Sequence, residues 1–259
     1  MEIHKPKAAH SWREFLVEIG TIICGILIAL ALEQAVEWSH GQERLREVRE
    51  QLHAEISSNV RAATMWLAMA PCLDREVSNL EAAVLAARAS GRYAGGSAFS
   101  PSLIRFESEA WLNARALQVF DRVPTEQAKA LSDFYFFSAN MQTDVVLLHT
   151  QAGELKLLSH PLGRLAPSEV DDLLIRLGRA EELFTRMNLS SLRILQHGRR
   201  LDALPPSDVS RAHLESAIGP NGSSCVIEPM QVWDLVKTSR DDRQIWSQLH
   251  LPEATHSGR

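Results

Sequence analysis

Chemistry in a chain of this kind would have to come from its histidines, cysteines and acids. The ten histidines are scattered through the sequence. None falls in an HExxH or HxH pattern, the spacings that place two imidazoles on one metal. His53 and Glu55 are two apart, and residues two apart do not share a helix face. His149 and His197 lie on two long helical patterns and could meet in space. Asp171-Asp172, Glu181-Glu182 and Asp241-Asp242 are adjacent acids that point apart and read as solvated charge. A di-metal bundle would need inward Glu-x-x-His motifs, but Glu154 has Leu157 three later and Glu169 has Asp172. No G-x-S-x-G elbow and no phosphate-binding glycine pattern occurs. No metal or cofactor is implied, and the expectation is a protein that is not an enzyme.

The cysteines say more. Cys24 lies in an apolar run, while Cys72 and Cys225 lie beyond it. In an oxidising compartment two such thiols often pair. A Cys72–Cys225 bridge would close a loop of about 150 residues, worth ~4–5 kcal/mol in the chain-entropy model. Two separate buried thiols are the alternative. Asn188-Leu-Ser and Asn221-Gly-Ser match the glycosylation triplet, which matters only in a eukaryotic secretory setting.

The element that dominates the sequence is near its start. From Phe15 to Leu32 the only charged residue is Glu18. Eighteen helical residues span about 27 Å, close to the ~30 Å hydrocarbon thickness of a bilayer. Ala35 and Val36 can extend the run, and Trp38 suits the interfacial aromatic belt. A cleaved signal peptide is a rival, because Ala29-Leu30-Ala31 fits a cleavage site behind Lys5, Lys7 and Arg13. A buried helix of a soluble protein is another. The helical pattern continues past residue 31 without a break, which favours an uncleaved anchor. Arg44, Arg46 and Arg49 nearly balance the basic N-terminus, yet a short basic tail usually stays inside. The expected layout is therefore a cytoplasmic tail at 1–14, a transmembrane anchor at 15–38, a helical extracytoplasmic domain at 39–250 and a disordered tail at 251–259.

Thr21, Gly25 and Ala29 form a small-residue stripe on the anchor, with Glu18 and Glu33 on roughly the same side. Such a face lets helices approach closely in lipid. It fits pairing with a second copy or with another membrane protein. The other reading is ordinary anchor composition, with both glutamates reaching the headgroups.

The remainder must position whatever the chain does. It holds 259 residues with 45% hydrophobic and 6% aromatic content, which excludes global disorder and disfavours an all-β sandwich. A net charge of −5 argues against a nucleic-acid partner. Leu45, Val48, Leu52, Ile56, Val60, Ala63 and Leu67 recur at three and four, so a stalk helix fused to the anchor is expected. Pro71 is expected to end or kink it, with a second helix over 73–89. Residues 91–101 read as a loop, 107–119 as a short helix and 125–158 as a long one. Ser168 and Asp171 suggest a capping box opening a helix to Leu201. A helix over 208–218 should end at Gly219-Pro220. Cys225-Val-Ile reads as extended, and Trp233 and Trp246 sit on short helices at 232–236 and 244–249. The fold expected is all-α: a transmembrane helix continuing into a stalk, then an up-down helical bundle.

Two stretches carry a resemblance. One is Phe15-Leu-Val-Glu-Ile-Gly-Thr-Ile-Ile-Cys-Gly-Ile-Leu-Ile-Ala-Leu with Glu33-Gln-Ala-Val-Glu-Trp38 and the Glu43-Arg-Leu-Arg-Glu run. The other is Glu109-Ala-Trp111-Leu-Asn-Ala114 followed by Leu131-Ser-Asp-Phe-Tyr135. Together they resemble a family of uncharacterised bacterial single-pass inner-membrane proteins, over roughly residues 12–60 and 105–140. The resemblance implies an inner-membrane anchor and a helical exported domain, and no activity. Function then reads as a membrane-anchored interaction or scaffold module of the bacterial envelope. The alternative is a ligand-sensing helical domain that signals through a partner protein, since only about fourteen residues precede the span.

Overall fold

The computed structural model describes residues 12–96, 99, 101, 104–118, 123–218, 225–239 and 242–249. The tail expected at 251–259, most of that expected at 1–14, Gly219-Pro220 and Asn221 lie outside the described residues. The chain is all-helical. Its elements are α1 (Trp12–Ser90), α2 (Glu109–Ala116), α3 (Thr125–Leu155), a 3₁₀ turn (Lys156–Ser159), α4 (Pro167–Arg200), α5 (Arg211–Ile218), α6 (Pro229–Thr238) and α7 (Asp242–Gln248). The chain divides into two compact units, residues 1–50 and 51–259.

The first unit is the beginning of α1. Its apolar stretch carries no buried side chain. Local polar groups are satisfied along the helix: Thr21 donates to the Val17 carbonyl at 2.8 Å and Ser39 to that of Val36 at 3.1 Å. Arg46 and Glu50 form an i,i+4 pair at 3.0 Å.

The second unit is a helical bundle built on residues 51–90 of α1, α3 and α4. Cross-helix pairs fix the directions. Glu154 meets Arg176, Asp144 meets Arg186, Met141 meets Ser191 and Phe137 stacks on His197, so α3 and α4 are antiparallel. Arg88 meets Asp171 and Trp66 meets Phe184, so α4 also runs against α1. The stripe read from the sequence on α1 enters the core through Leu52, Ile56, Val60, Ala63 and Leu67; opposite it Leu131, Tyr135, Val145, Leu148 and Leu155 of α3 and Val170, Leu177, Phe184, Met187 and Leu195 of α4 are buried, while Ala128 and Leu174 are half-buried.

Pro71 does not end α1; the helix passes through it. Proline removes one helical N–H and leaves a carbonyl a turn earlier without its partner. Burial outweighs that loss here, because Trp66, Leu67, Ala68, Met69, Ala70, Cys72 and Leu73 are all in the core. The tail segment docks on the same turn: Ile227 N–H donates to the Ala68 carbonyl at 2.9 Å, and Cys225 is bonded to Cys72.

Other boundaries shift by a turn. The capping box expected at Ser168 is absent, because α4 begins at Pro167 and places Ser168 inside the helix. Glu169 supplies the reciprocal half instead, accepting the Ala166 N–H at 2.6 Å. The helix expected over 208–218 starts at Arg211, that over 232–236 is longer, and 225–228 is non-helical. At one end of the bundle Tyr93 N–H donates to the Gly163 carbonyl at 2.7 Å, and the Tyr93 hydroxyl to that of Leu158 at 2.7 Å.

Candidate functional site

Two surfaces stand out, one in each unit. The first is the apolar stretch of α1. Ile22, Ile26, Leu27 and Ile28 are each more than half exposed (58%, 55%, 59% and 61%). Fully burying an aliphatic side chain of this size is worth ~1.5–3 kcal/mol, so an unbroken band of them left in water is strongly disfavoured. α1 is long and apolar enough to cross a membrane. Thr21, Gly25 and Ala29 are exposed along it, and a Cβ added at Gly25 would meet nothing within 4 Å. The stripe is thus open to a neighbouring helix. Cys24, also exposed, is a free thiol.

The second surface is a polar groove, built from one face of α1. Successive residues of a helix fan around its axis by about 100°, so three neighbouring columns face three ways. Glu55 and Asn59 form one column. The Asn59 amide clamps Glu107 at both ends, donating to its carbonyl at 2.8 Å and accepting its N–H at 2.8 Å. The Glu55 carboxylate accepts the N–H groups of Ala110 and Trp111 at 2.8 and 3.1 Å, closing the start of α2. His53, Ser57 and Arg61 form the opposite column. They hold the chain after α4: the His53 ring contacts the Asp202 carbonyl, Ser57 accepts the Leu204 N–H, and Arg61 pairs with Asp208 at 2.9 Å. Ala54, Ser58, Ala62 and Met65 lie between as a floor.

Two adjoining clefts result, of about 450 and 480 Å³, sharing Ser58, Arg61 and Asp208. The first is walled by Ile104, Arg105 and Glu107 and by Val209 and His213; the second by the 204–208 segment with Pro205 and Pro206. The Arg61 hydrogen bond holds the Asp208 carboxyl below its usual range. The first cleft thus offers both signs of charge beside apolar side chains, the makings of a recognition site.

Half-buried Trp111 of α2 stacks on buried Tyr135 of α3 at 4.7 Å, with the Arg115 guanidinium 5.9 Å from the indole centroid. The Tyr135 hydroxyl has no well-formed hydrogen bond; burial, then the neighbouring Glu55 carboxylate, pushes its ionisation far above the usual tyrosine range.

The structure places the other marked residues plainly. Cys72 and Cys225 are joined as a disulfide, with Cα atoms 5.2 Å apart. His197 stacks on Phe137 at 5.9 Å, and burial pushes its pKa down. Among the described residues no group of His, Cys, Asp and Glu is arranged to hold a metal ion. Asn188 is buried and accepts the Trp66 indole N–H at 2.7 Å, so its triplet is inaccessible in the folded chain. Asn59, Arg61, Arg105, Glu107 and Asp208 were not singled out from the sequence, and Glu55 was considered only beside His53. The available signal was Glu55 and Asn59, two polar residues four apart beside the Leu52–Ile56–Val60 stripe.

Compared with family models, curated proteins and solved structures, the chain matches none.

Proposed function

We propose that this chain is a membrane-anchored helical interaction protein of the bacterial envelope. Residues 15–38 span the inner membrane, residues 1–14 are cytoplasmic and the helical unit is periplasmic. The observation that carries the reading is the apolar stretch of α1, none of it buried. Two further features support it. The Cys72–Cys225 disulfide belongs to an oxidising compartment. Thr21, Gly25 and Ala29 offer an open face for a second copy or another envelope protein. The resemblance over residues 12–60 and 105–140 agrees with the anchor and the exported helical domain.

Protease access in spheroplasts tests the layout. The full chain with a C-terminal tag should fractionate with membranes and lose the tag to external protease. A tag protected until lysis overturns the orientation. A soluble periplasmic protein would mean cleavage after Ala31 and end the anchor reading.

A second reading, ligand sensing with output through a partner protein, is favoured by the cleft beside Arg61 and Arg105.

A further inference from the structure

We propose that the cleft between α1, residues 104–108 and the start of α5 binds a small zwitterion, an α-amino acid with an apolar side chain. The proposal concerns binding alone and holds whichever way the chain lies in a membrane.

Three separate segments converge on this cleft of about 450 Å³: Ser58 to Met65 of α1, Ile104 to Glu107, and Asp208 to His213. Pockets for small ligands run from about 300 to 1,000 Å³. Residues 104–107 alternate: Ile104 and Phe106 are buried, Arg105 is exposed and Glu107 half-buried, so the two charged side chains share the open side. The backbone carrying them is pinned from two helices. Asn59 holds both polar groups of Glu107, and Gln142 accepts the Phe106 N–H at 2.9 Å.

That pinning engages only the main-chain groups of Phe106 and Glu107, and among the described residues neither the Arg105 nor the Glu107 side chain has an ion-pair partner within 4 Å. Glu109, whose carboxylate feels the Arg105 charge, is turned back onto the Ser108 N–H, accepting it at 3.1 Å. Asp208, the cleft's other carboxylate, is already matched by Arg61. One guanidinium and one carboxylate therefore remain, two residues apart on a fixed backbone, above Ala62, Met65 and Val209.

A guanidinium fork takes a carboxylate through two parallel N–H donors, and a carboxylate accepts from an ammonium. An α-amino acid carries both groups on one carbon. Its side chain would cover Met65 and Val209, removing apolar surface from water. The same set selects against other ligands: Glu107 and Asp208 repel a phosphate-like anion, and Arg61 and Arg105 repel a simple amine.

Isothermal titration of the detergent-solubilised full chain with L-leucine tests this, with leucinamide and N-acetyl-L-leucine as probes lacking one charge each. Binding of leucine, and of neither probe, is expected. Arg105→Ala and Glu107→Gln should each weaken Kd at least tenfold, while Glu182→Gln on the outer face of α4 leaves it unchanged. Unaltered circular dichroism in both variants shows that folding is intact, and Arg105→Lys should recover part of the affinity. Absence of heat with leucine, isoleucine, valine and methionine overturns the proposal. So does binding that survives both substitutions, or N-acetyl-leucine binding as well as leucine does.

Discussion

The Glu55 carboxylate reaches from α1 to the first turn of α2, where it accepts the backbone N–H of Trp111 at 3.1 Å and that of Ala110 at 2.8 Å. α2 has no side-chain cap of its own, since Ser108 makes no capping hydrogen bond. A buried acid from another helix thus meets two of the orphan donors that every helix start exposes, and its charge suits the positive end of the helix dipole.

Glu55→Ala should cost about 1–3 kcal/mol, the range for losing a cap and leaving buried N–H groups unpaired. Glu55→Gln should cost less, because one amide oxygen still accepts. Chemical denaturation measures the loss, and the part of the tryptophan emission that disappears in Trp111→Phe, the ring stacked on Tyr135, reports on α2 locally. A fluorescence change without loss of stability would mean that α2 detaches by itself. No change in either would remove the capping role.

Periodicity made the bundle legible. The i, i+3, i+4 recurrence that gathers Leu52, Ile56 and Val60 on one face also buries them. The helix end expected at Pro71, and with it a separate helix over 73–89, did not form because a local rule met a tertiary force: a missing N–H costs less than exposing Trp66 to Ala70, Cys72 and Leu73. The groove was illegible for a different reason. Arg61 and Asp208 are 147 residues apart, as are Ser57 and Leu204, and no local pattern encodes such a pairing. Asn59 and Glu107 are nearer in sequence, yet a side-chain clamp on a loop backbone leaves no periodic trace.

The Cys72–Cys225 bridge ties the tail to the proline turn across 153 residues. A loop of that length is worth about 5 kcal/mol in the chain-entropy model, with 2–5 kcal/mol typical on removal. Cys72→Ser, Cys225→Ser and the double variant should therefore melt at a common, lower temperature. Reductant should bring the parent chain down to match. Melting that ignores reductant, together with two titratable thiols in the unreduced protein beyond Cys24, would show that the bridge does not form.

Gly198 sits where three helices close on one another. A Cβ there would collide with Val60 Cγ2 and lie 3.4 Å from Phe134. Gly198→Ala should destabilise by about 1–3 kcal/mol through overpacking. Val60→Ala should be less harmful in that background than in the parent, a coupling of at least ~0.5 kcal/mol in a double-mutant cycle. Gly178, on the same helix with nothing within 4 Å of an added Cβ, gives the opposite sign. Gly178→Ala should gain about 0.5–1 kcal/mol from helix propensity alone. Equal effects at the two glycines would deny the close crossing.

Glu181 is placed among acids: burial first, then Glu81 and Asp74, raise its pKa. A carboxyl raised in the folded state contributes stability that is whole below its unfolded pKa and is lost as pH climbs through the folded one. At neutral pH the charged side chain therefore works against the fold. Glu181→Gln removes that cost, so the variant should melt higher than the parent at pH 7. Solvent reaches this position, and screening limits the gain to about 0.2–0.5 kcal/mol. The gain should shrink as pH falls and vanish below about pH 4, where the carboxyl is protonated in both states. Paired melts of parent and variant from pH 4 to 8 measure the difference directly. A gain that stays constant across that range would trace to packing of the amide, and would remove the like-charge account of Glu181, Glu81 and Asp74.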